Sequence, residues 1–318
     1  METYKDNIKK IFLFVTNLLI IFLAGCLQTG NKTTPEKIES RWPSRAGNVE
    51  IFSQDFPGFL YYDPKQDLVE HFTLEYRNTI YLEEGEKINL NITSIAANVG
   101  EINCENVVNR IIQLYPPDYD YTSGSLYEST GTVSTCEIKI PKGYENLKEF
   151  VIIISYKLEN IKTKVRIPLK IRYGPVGSSI KNTITANYLS SPVVPTSVVE
   201  EIHGVATYRV TIKIDDIYGC LYDNQKKHKI RIDNIKVNID GRLMDLNNVN
   251  WMKCNLEVGY ERQTPLEIIC TIDMKELINQ GLASEQLLSS EHKYAELEVE
   301  YSYNCYYTTR LTAKVMYT

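Results

Sequence analysis

The sequence predicts an all-β chain, two tandem antiparallel β-sandwiches with minor helix, set behind an N-terminal export segment and a flexible stalk. Three observations carry that expectation. Beyond residue 48 the apolar positions recur with a period of two, the mark of strands with one buried and one wet face. Tyrosines number 23 against 8 phenylalanines, and tyrosine suits half-buried sheet positions. One order of elements (a strand holding a cysteine, a connector, a long hairpin) occurs twice, as in a duplicated domain. The 318 residues are enough for two cores at roughly 100–200 residues per domain. With 43% hydrophobic and 24% charged residues, wholesale disorder is excluded. A net charge of −5, from 35 basic and 40 acidic residues, argues against a nucleic-acid partner.

Residues 1–26 read as an address. Lys5, Lys9 and Lys10, against Glu2 and Asp6, precede an uncharged, largely apolar run over 11–23, IFLFVTNLLIIFL. That run is shorter than the roughly 20 residues of a comfortable membrane span and suits the h-region of a signal peptide. It ends in Leu23-Ala24-Gly25-Cys26, which resembles the lipobox of prokaryotic lipoproteins. The resemblance covers the first tenth of the chain and implies cleavage before Cys26 and a lipid on its thiol. The following Leu27-Gln28-Thr29-Gly30-Asn31 is similar to the starts of mature archaeal and Gram-positive lipoproteins. An uncleaved signal anchor is the competing reading. Both place the remainder on the extracytoplasmic face of the cell membrane. Without residues 1–26 the chain keeps 32 basic and 38 acidic side chains, since three lysines, one glutamate and one aspartate leave, so the exterior part stands at −6.

Residues 27–48 are rich in Thr, Ser, Pro, Gly and charge, as a flexible tether requires. Asn31-Lys32-Thr33 within it and Asn91-Ile92-Thr93 beyond it are glycosylation triplets, weak pointers to exposure. The first sandwich is expected over 49–173. It has a strand at 87–95, a short helix at 105–114 with Val107, Val108, Ile111 and Ile112 on one face, and a strand at 134–140. Its closing hairpin has arms at 150–158 and 161–173 about a turn at Glu159-Asn160. In the second arm Val165, Ile167, Leu169, Ile171 and Tyr173 alternate with the basic stripe Lys162, Lys164, Arg166, Lys170 and Arg172. Pro168 donates nothing to a ladder, which places this arm at or near an edge.

Breakers over 174–179 mark a linker, and the second sandwich follows over 180–318. Its strands are expected at 206–214, 235–239, 242–245 and 268–274, with Asp240-Gly241 as a two-residue hairpin turn. Residues 274–288 read as a helix interrupted by Gly281. A closing hairpin with arms at 294–303 and 306–317 turns near Asn304-Cys305, and its first arm carries the acidic stripe Glu296, Glu298 and Glu300. The architecture resembles that of tandem immunoglobulin-like surface proteins, although the Cys…Trp…Cys spacing of true immunoglobulin domains is missing.

Seven cysteines cannot all pair, and Cys26 is assigned to the lipid. An exported setting permits disulfides among the rest. Pairing within each domain joins Cys104 to Cys136. Matching the copies then favours Cys220 with Cys270, leaving Cys254 with Cys305.

Catalytic signatures are missing. His71, His203, His228 and His292 are scattered, with no HExxH, CxxC, Gly-x-Ser-x-Gly or phosphate loop, and Asp215-Asp216 would face opposite sides of a strand. No metal or cofactor is expected. Residues 115–127 read first as a solvated loop and second as a contact loop for protein or glycan, since Tyr115, Asp118, Tyr119, Asp120, Tyr121 and Tyr127 combine with Ser and Gly as in contact loops. A calcium loop fits worse: Gly124 comes one place late and Ser129 stands where a twelfth-position Glu belongs. The opposite charges of the two stripes suggest head-to-tail self-association. The function expected is a lipid-anchored surface protein of binding, adhesion or envelope-structural type, whose partner is another surface protein, a glycan or a second copy. The alternative is a surface hydrolase whose residues converge only in the fold. An import receptor would show βα alternation, which is missing.

Overall fold

The alternation is realised almost throughout. In the computed structural model the described residues are 42–83, 86–174, 179–203, 205, 207–223 and 226–318. Cys26, the first glycosylation triplet and most of the linker at 174–179 lie outside them. In chain order the strands are β1 (Val49–Phe52), β2 (Phe59–Tyr62), β3 (Leu68–Asn78), β4 (Ile88–Ala97), β5 (Glu101–Cys104) and β6 (Ile111–Leu114). The small hairpin β7 (Asp118–Asp120) and β8 (Ser125–Tyr127) leads to β9 (Ser129–Ile140) and the 23-residue β10 (Glu149–Ile171). Next come β11 (Ser179–Thr183), β12 (Asn187–Tyr188), β13 (Val193–His203), β14 (Thr207–Asp216), β15 (Tyr222–Asp223) and β16 (Lys226–Lys227). The chain closes with β17 (Ile230–Ile239), β18 (Arg242–Asp245), β19 (Met252–Cys254), β20 (Glu261–Arg262), β21 (Leu266–Asp273) and the 25-residue β22 (Lys293–Tyr317). Among the described residues helix is confined to a 3-10 turn and to α1 (Met274–Asn279) and α2 (Glu285–Ser290), capped by Asp273 and Ser284 and separated by Gly281 at φ +70°.

Three main sheets result. A four-stranded sheet runs β1-β3-β9-β5 and a five-stranded one β11-β13-β14-β21-β19. A nine-stranded sheet runs β18-β17-β22-β10-β4-β6, with β2, β12 and β20 attached. Its order reads alike outward from the central β22–β10 pair, as a duplication would produce. One end of this sheet covers the four-stranded sheet, where Tyr156 of β10 donates to the Val49 carbonyl of β1 at 2.9 Å. The other end covers the five-stranded sheet, where Tyr301 of β22 donates to the Val193 carbonyl of β13 at 2.9 Å. One apolar cluster runs through both halves, from Val49, Phe72 and Ile138 to Ile212, Trp251 and Leu277. Residues from Arg41 to Thr318 form one compact unit.

The two closing hairpins do not form. β10 and β22 are each continuous and pair with each other antiparallel, from Glu149↔Lys314 to Ile171↔Lys293. Glu159-Asn160 is a bulge instead of a turn: Leu158 faces Cys305 and Ile161 faces Tyr303, so two residues oppose the single Asn304. Asn160 takes the left-handed conformation at φ +56°, and its N–H donates to Asn304 Oδ1 at 2.9 Å. The extra residue shifts the buried positions of β10 from even to odd, which keeps both arms facing the core. The first half of β10 therefore lies in one sandwich and its second half in the other, and β22 does the reverse. Pro168 sits where β10 meets β22 on one side and, past the two rungs with β12, no strand on the other among the described residues.

Other expectations are corrected. Residues 105–114 are not a helix: Asn106 and Asn109 take positive φ, and only β6 at the end is regular. Asn91 lies in β4, between β10 and β6, half-buried, so the second glycosylation triplet is not a loop. Residues 42–48, expected as the end of the tether, pack on the body. Trp42 lies under the Arg166 guanidinium at 4.1 Å from the ring centroid, and Gly47 donates its N–H to the Ser191 carbonyl at 3.0 Å. A Cβ at Gly47 would come within 2.6 Å of the Thr79 carbonyl oxygen, so only glycine fits there. The Asp240-Gly241 turn forms as expected, with both residues at positive φ.

Candidate functional site

The candidate loop at 115–127 is built as a short hairpin. Asp118, Tyr119 and Asp120 of β7 pair with Tyr127, Leu126 and Ser125 of β8. Gly124 at φ +69° closes the turn, and its N–H reaches the Asp120 carbonyl at 2.8 Å. The Asp120 carboxylate accepts from the Ser123 hydroxyl at 2.6 Å and the Thr122 N–H at 2.8 Å, which lowers its pKa. That carboxylate is committed to the turn, and the calcium reading loses a ligand. Leu126 is buried, Arg45 donates to its carbonyl at 3.3 Å, and Asn78 donates to the Tyr115 carbonyl at 2.7 Å, so the hairpin is fixed to the body at both ends.

Its tyrosines divide into two sets. Tyr119 packs edge-on against Tyr121 at 4.9 Å and against Tyr81 at 5.8 Å, and the Tyr81 and Tyr121 hydroxyls are 2.8 Å apart. Tyr115 and Tyr127 are free of such packing and are 67% and 59% exposed. Tyr127 lies directly across from Asp118, which places a ring and a carboxylate side by side on the outward face. An aromatic surface beside hydrogen-bond acceptors is suited to contact.

The basic and acidic stripes meet inside the molecule. Lys164 stands opposite Glu300 and Arg166 opposite Glu298, on adjacent strands of one sheet. Lys164 Nζ bridges Glu83 at 2.8 Å and Glu300 at 3.0 Å; burial opposes its charge, but these two hydrogen bonds outweigh it and its pKa is raised. Arg166 Nε holds Glu298, whose side chain is 9% exposed, at 2.9 Å. Lys162 pairs with Glu86 at 3.0 Å, and that hydrogen bond raises its pKa. Lys170 lies 6.0 Å from the Tyr294 ring, Arg172 is beyond the end of β10, and Glu296 stands opposite Pro168. Charges expected to join two molecules are therefore largely spent within one. Of the stripe residues Lys162, Lys164 and Glu300 line a groove of 710 Å³, together with Glu83, Glu86 and the Arg231–Asp233 pair.

All six cysteines among the described residues are bonded. Cys104–Cys136 is as expected; the other two are Cys220–Cys305 and Cys254–Cys270, not the exchanged pairing. Cys104 and Cys136 face each other across β5 and β9, and Cys254 and Cys270 across β19 and β21. Each joins an edge strand to its neighbour at the same place in its sheet, so the true counterpart of Cys104 is Cys254. Cys220 belongs to a turn whose Cys220 and Leu221 N–H groups donate to Asp216, and it reaches the centre of β22. Asp216 thereby holds the turn with both carboxylate oxygens. Among the described residues no cluster of three metal-ligating side chains occurs, and no helix is long and apolar enough to cross a membrane.

No family model and no curated protein matches the sequence. Among solved structures the collagen adhesin of S. aureus overlaps 86% of this chain and 93% of its own at 7% identity, with a TM-score of 0.16, a likeness that carries no argument.

Proposed function

We propose that this is an exported surface protein, held at the membrane through Cys26, whose β7–β8 hairpin binds a polyhydroxylated partner, a surface glycan. The observation that carries this reading is the outward face of the hairpin. There Tyr127 stands across from Asp118, and the two tyrosines nearest the hairpin ends are the most exposed of it. Sugar rings offer apolar C–H faces to aromatic rings and hydroxyls to carboxylates, so this pairing matches their chemistry. Anchoring at the hairpin ends by Arg45 and Asn78 pre-organises the contact and lowers the entropy cost of binding. Three disulfides support an oxidising, extracytoplasmic setting.

The test is binding of the full chain to a glycan array and to intact cells of its source. Tyr127→Ala and Asp118→Ala are expected to lose binding by about tenfold each, as loss of one well-placed contact implies, with thermal melting unchanged. Glycan binding that survives the double variant would overturn the reading. Mass spectrometry of the membrane fraction tests the anchor: a diacylglyceryl group on Cys26 supports it, and an intact residue 1 overturns it.

A further inference from the structure

The nine-stranded sheet has a gap in its hydrogen bonding. β22 pairs with β10 along one side as far as Lys314. Its other side is taken by β17 opposite residues 295–302 and by β2 opposite residues 314–317. Successive residues of a strand direct their backbone groups to opposite sides. On the β2 side Lys314 donates to the Gly58 carbonyl at 3.0 Å, and Tyr306 donates to the Cys220 carbonyl at 2.7 Å. Thr308, Arg310 and Thr312 have the same parity, so their N–H and C=O groups face this side too. No backbone partner meets them among the described residues. From Tyr306 to Lys314 the stretch is roughly 26 Å long, at about 3.3 Å per residue. β15 packs against β22, Cys220 and His228 close the Tyr306 end and Gly58 the Lys314 end. Between them Thr308, Arg310 and Thr312 offer rungs to an extended segment of about five residues.

The corresponding edge of β10 is closed. Past Arg166 it carries Pro168, which has no N–H, and Tyr173 donates to the Leu288 carbonyl of α2 at 2.9 Å. β22 has no proline over 307–317. Beside the gap Arg310 and Lys314 are exposed on the outward face, and the carboxylate nearest Arg310, that of Glu149, is 3.8 Å away and itself exposed. Tyr307 and Leu311 are half-buried on the inward face. An occupant therefore meets cations on one side and apolar groups on the other.

We infer that this gap is a strand-addition site, which takes an extended segment of a partner polypeptide with carboxylates at alternate positions and apolar residues between them. The site is separate from the hairpin, and its failure leaves the glycan reading untouched.

The probe is a synthetic heptapeptide of alternating valine and glutamate, added to the full chain and followed by fluorescence anisotropy and amide hydrogen exchange. Binding is expected to protect the amides of Thr308, Arg310 and Thr312. Thr312→Pro, which removes one donor at an exposed position, should abolish binding with the melting temperature retained. Arg310→Glu should weaken it by about tenfold through charge reversal. A peptide N-methylated at alternate residues should not bind, which keeps the test independent of any variant's folding. Unchanged exchange at the three amides, or equal binding of the methylated or valine–lysine peptide, would overturn the inference. Dimerisation of the chain that Thr312→Pro removes, without peptide binding, would also overturn it and assign the gap to a second copy.

Discussion

Tyr156, Tyr208, Tyr301, Tyr303 and Tyr307 lie between the layers and do two jobs at once. Their rings fill the core, and most of their hydroxyls satisfy buried polar groups. Tyr303 meets Ser191, which Thr163 reaches at 2.7 Å, and Tyr208 donates to Glu200, which also accepts from Asn182 at 2.8 Å. Burial pushes the pKa of Tyr156 and of Tyr303 up to about 12, and raises those of Tyr208, Tyr301 and Tyr307 as well. The sign of the consequence follows. Between the ordinary value of 10.0 and about 12 the unfolded chain has lost protons that the folded chain keeps, so stability falls as pH rises through that window. Urea unfolding is expected to give constant stability on the neutral side of pH 10 and a steep decline above it. Replacing Tyr156 and Tyr303 together by phenylalanine should flatten that decline, at a cost of about 1–3 kcal/mol near neutral pH from the unmet hydrogen-bond partners. A decline of the same steepness in the double variant would remove these tyrosines as its cause.

At the level of strands, most of the pattern is legible in the sequence, and the failures have physical causes. The period of two locates β4, β9, β14, β17 and β21, and Asp-Gly locates the β17–β18 turn. The hairpin reading of 150–173 fails because the alternation changes phase at Glu159-Asn160, which a turn and a bulge both produce. In β22 the odd positions are apolar from Ala295 through Cys305 to Val315 except at Thr309. That constant phase was a readable sign against a turn at Asn304-Cys305. The tyrosine-rich character of residues 115–127 is legible from composition, but their hairpin pairing and the edge gap are not, because the gap depends on which strands flank β22. Cysteine pairing failed for a related reason: order along the chain matched Cys220 to Cys104, whereas position in the sheet matches Cys254. Peptide mapping should recover Cys104–Cys136, Cys220–Cys305 and Cys254–Cys270. Removing the second of these, with a separation of 85 residues, is expected to cost about 4–5 kcal/mol, against about 3 kcal/mol for the third at 16 residues, if loop entropy dominates. Equal melting shifts for the two double-serine variants would show that it does not.

For the whole molecule, the exchange of strand halves makes the two sandwiches interdependent. Residues 149–158 of β10 lie between β4 and the 305–314 stretch of β22, and a chain ending at 173 lacks that cover. Lys164 adds to this by holding Glu83 of one half and Glu300 of the other. Calorimetry is expected to show a single transition with equal calorimetric and van't Hoff enthalpies, and a 42–173 fragment is expected not to fold by circular dichroism. Two resolved transitions, or a folded fragment, would show that the halves are autonomous.

The continuous β10–β22 ribbon also fixes how the molecule bears load. Tension on the chain at Trp42 passes along the backbone into β1. The stacked Arg166 ties residue 42 to the second half of β10, a strand bonded to β22 along nearly its whole length. A pull along that ribbon must shear many rungs together instead of peeling them one by one, and Cys220–Cys305 ties the centre of β22 to the turn that follows β14. The fold is thus mechanically stiff along the axis that joins its two halves.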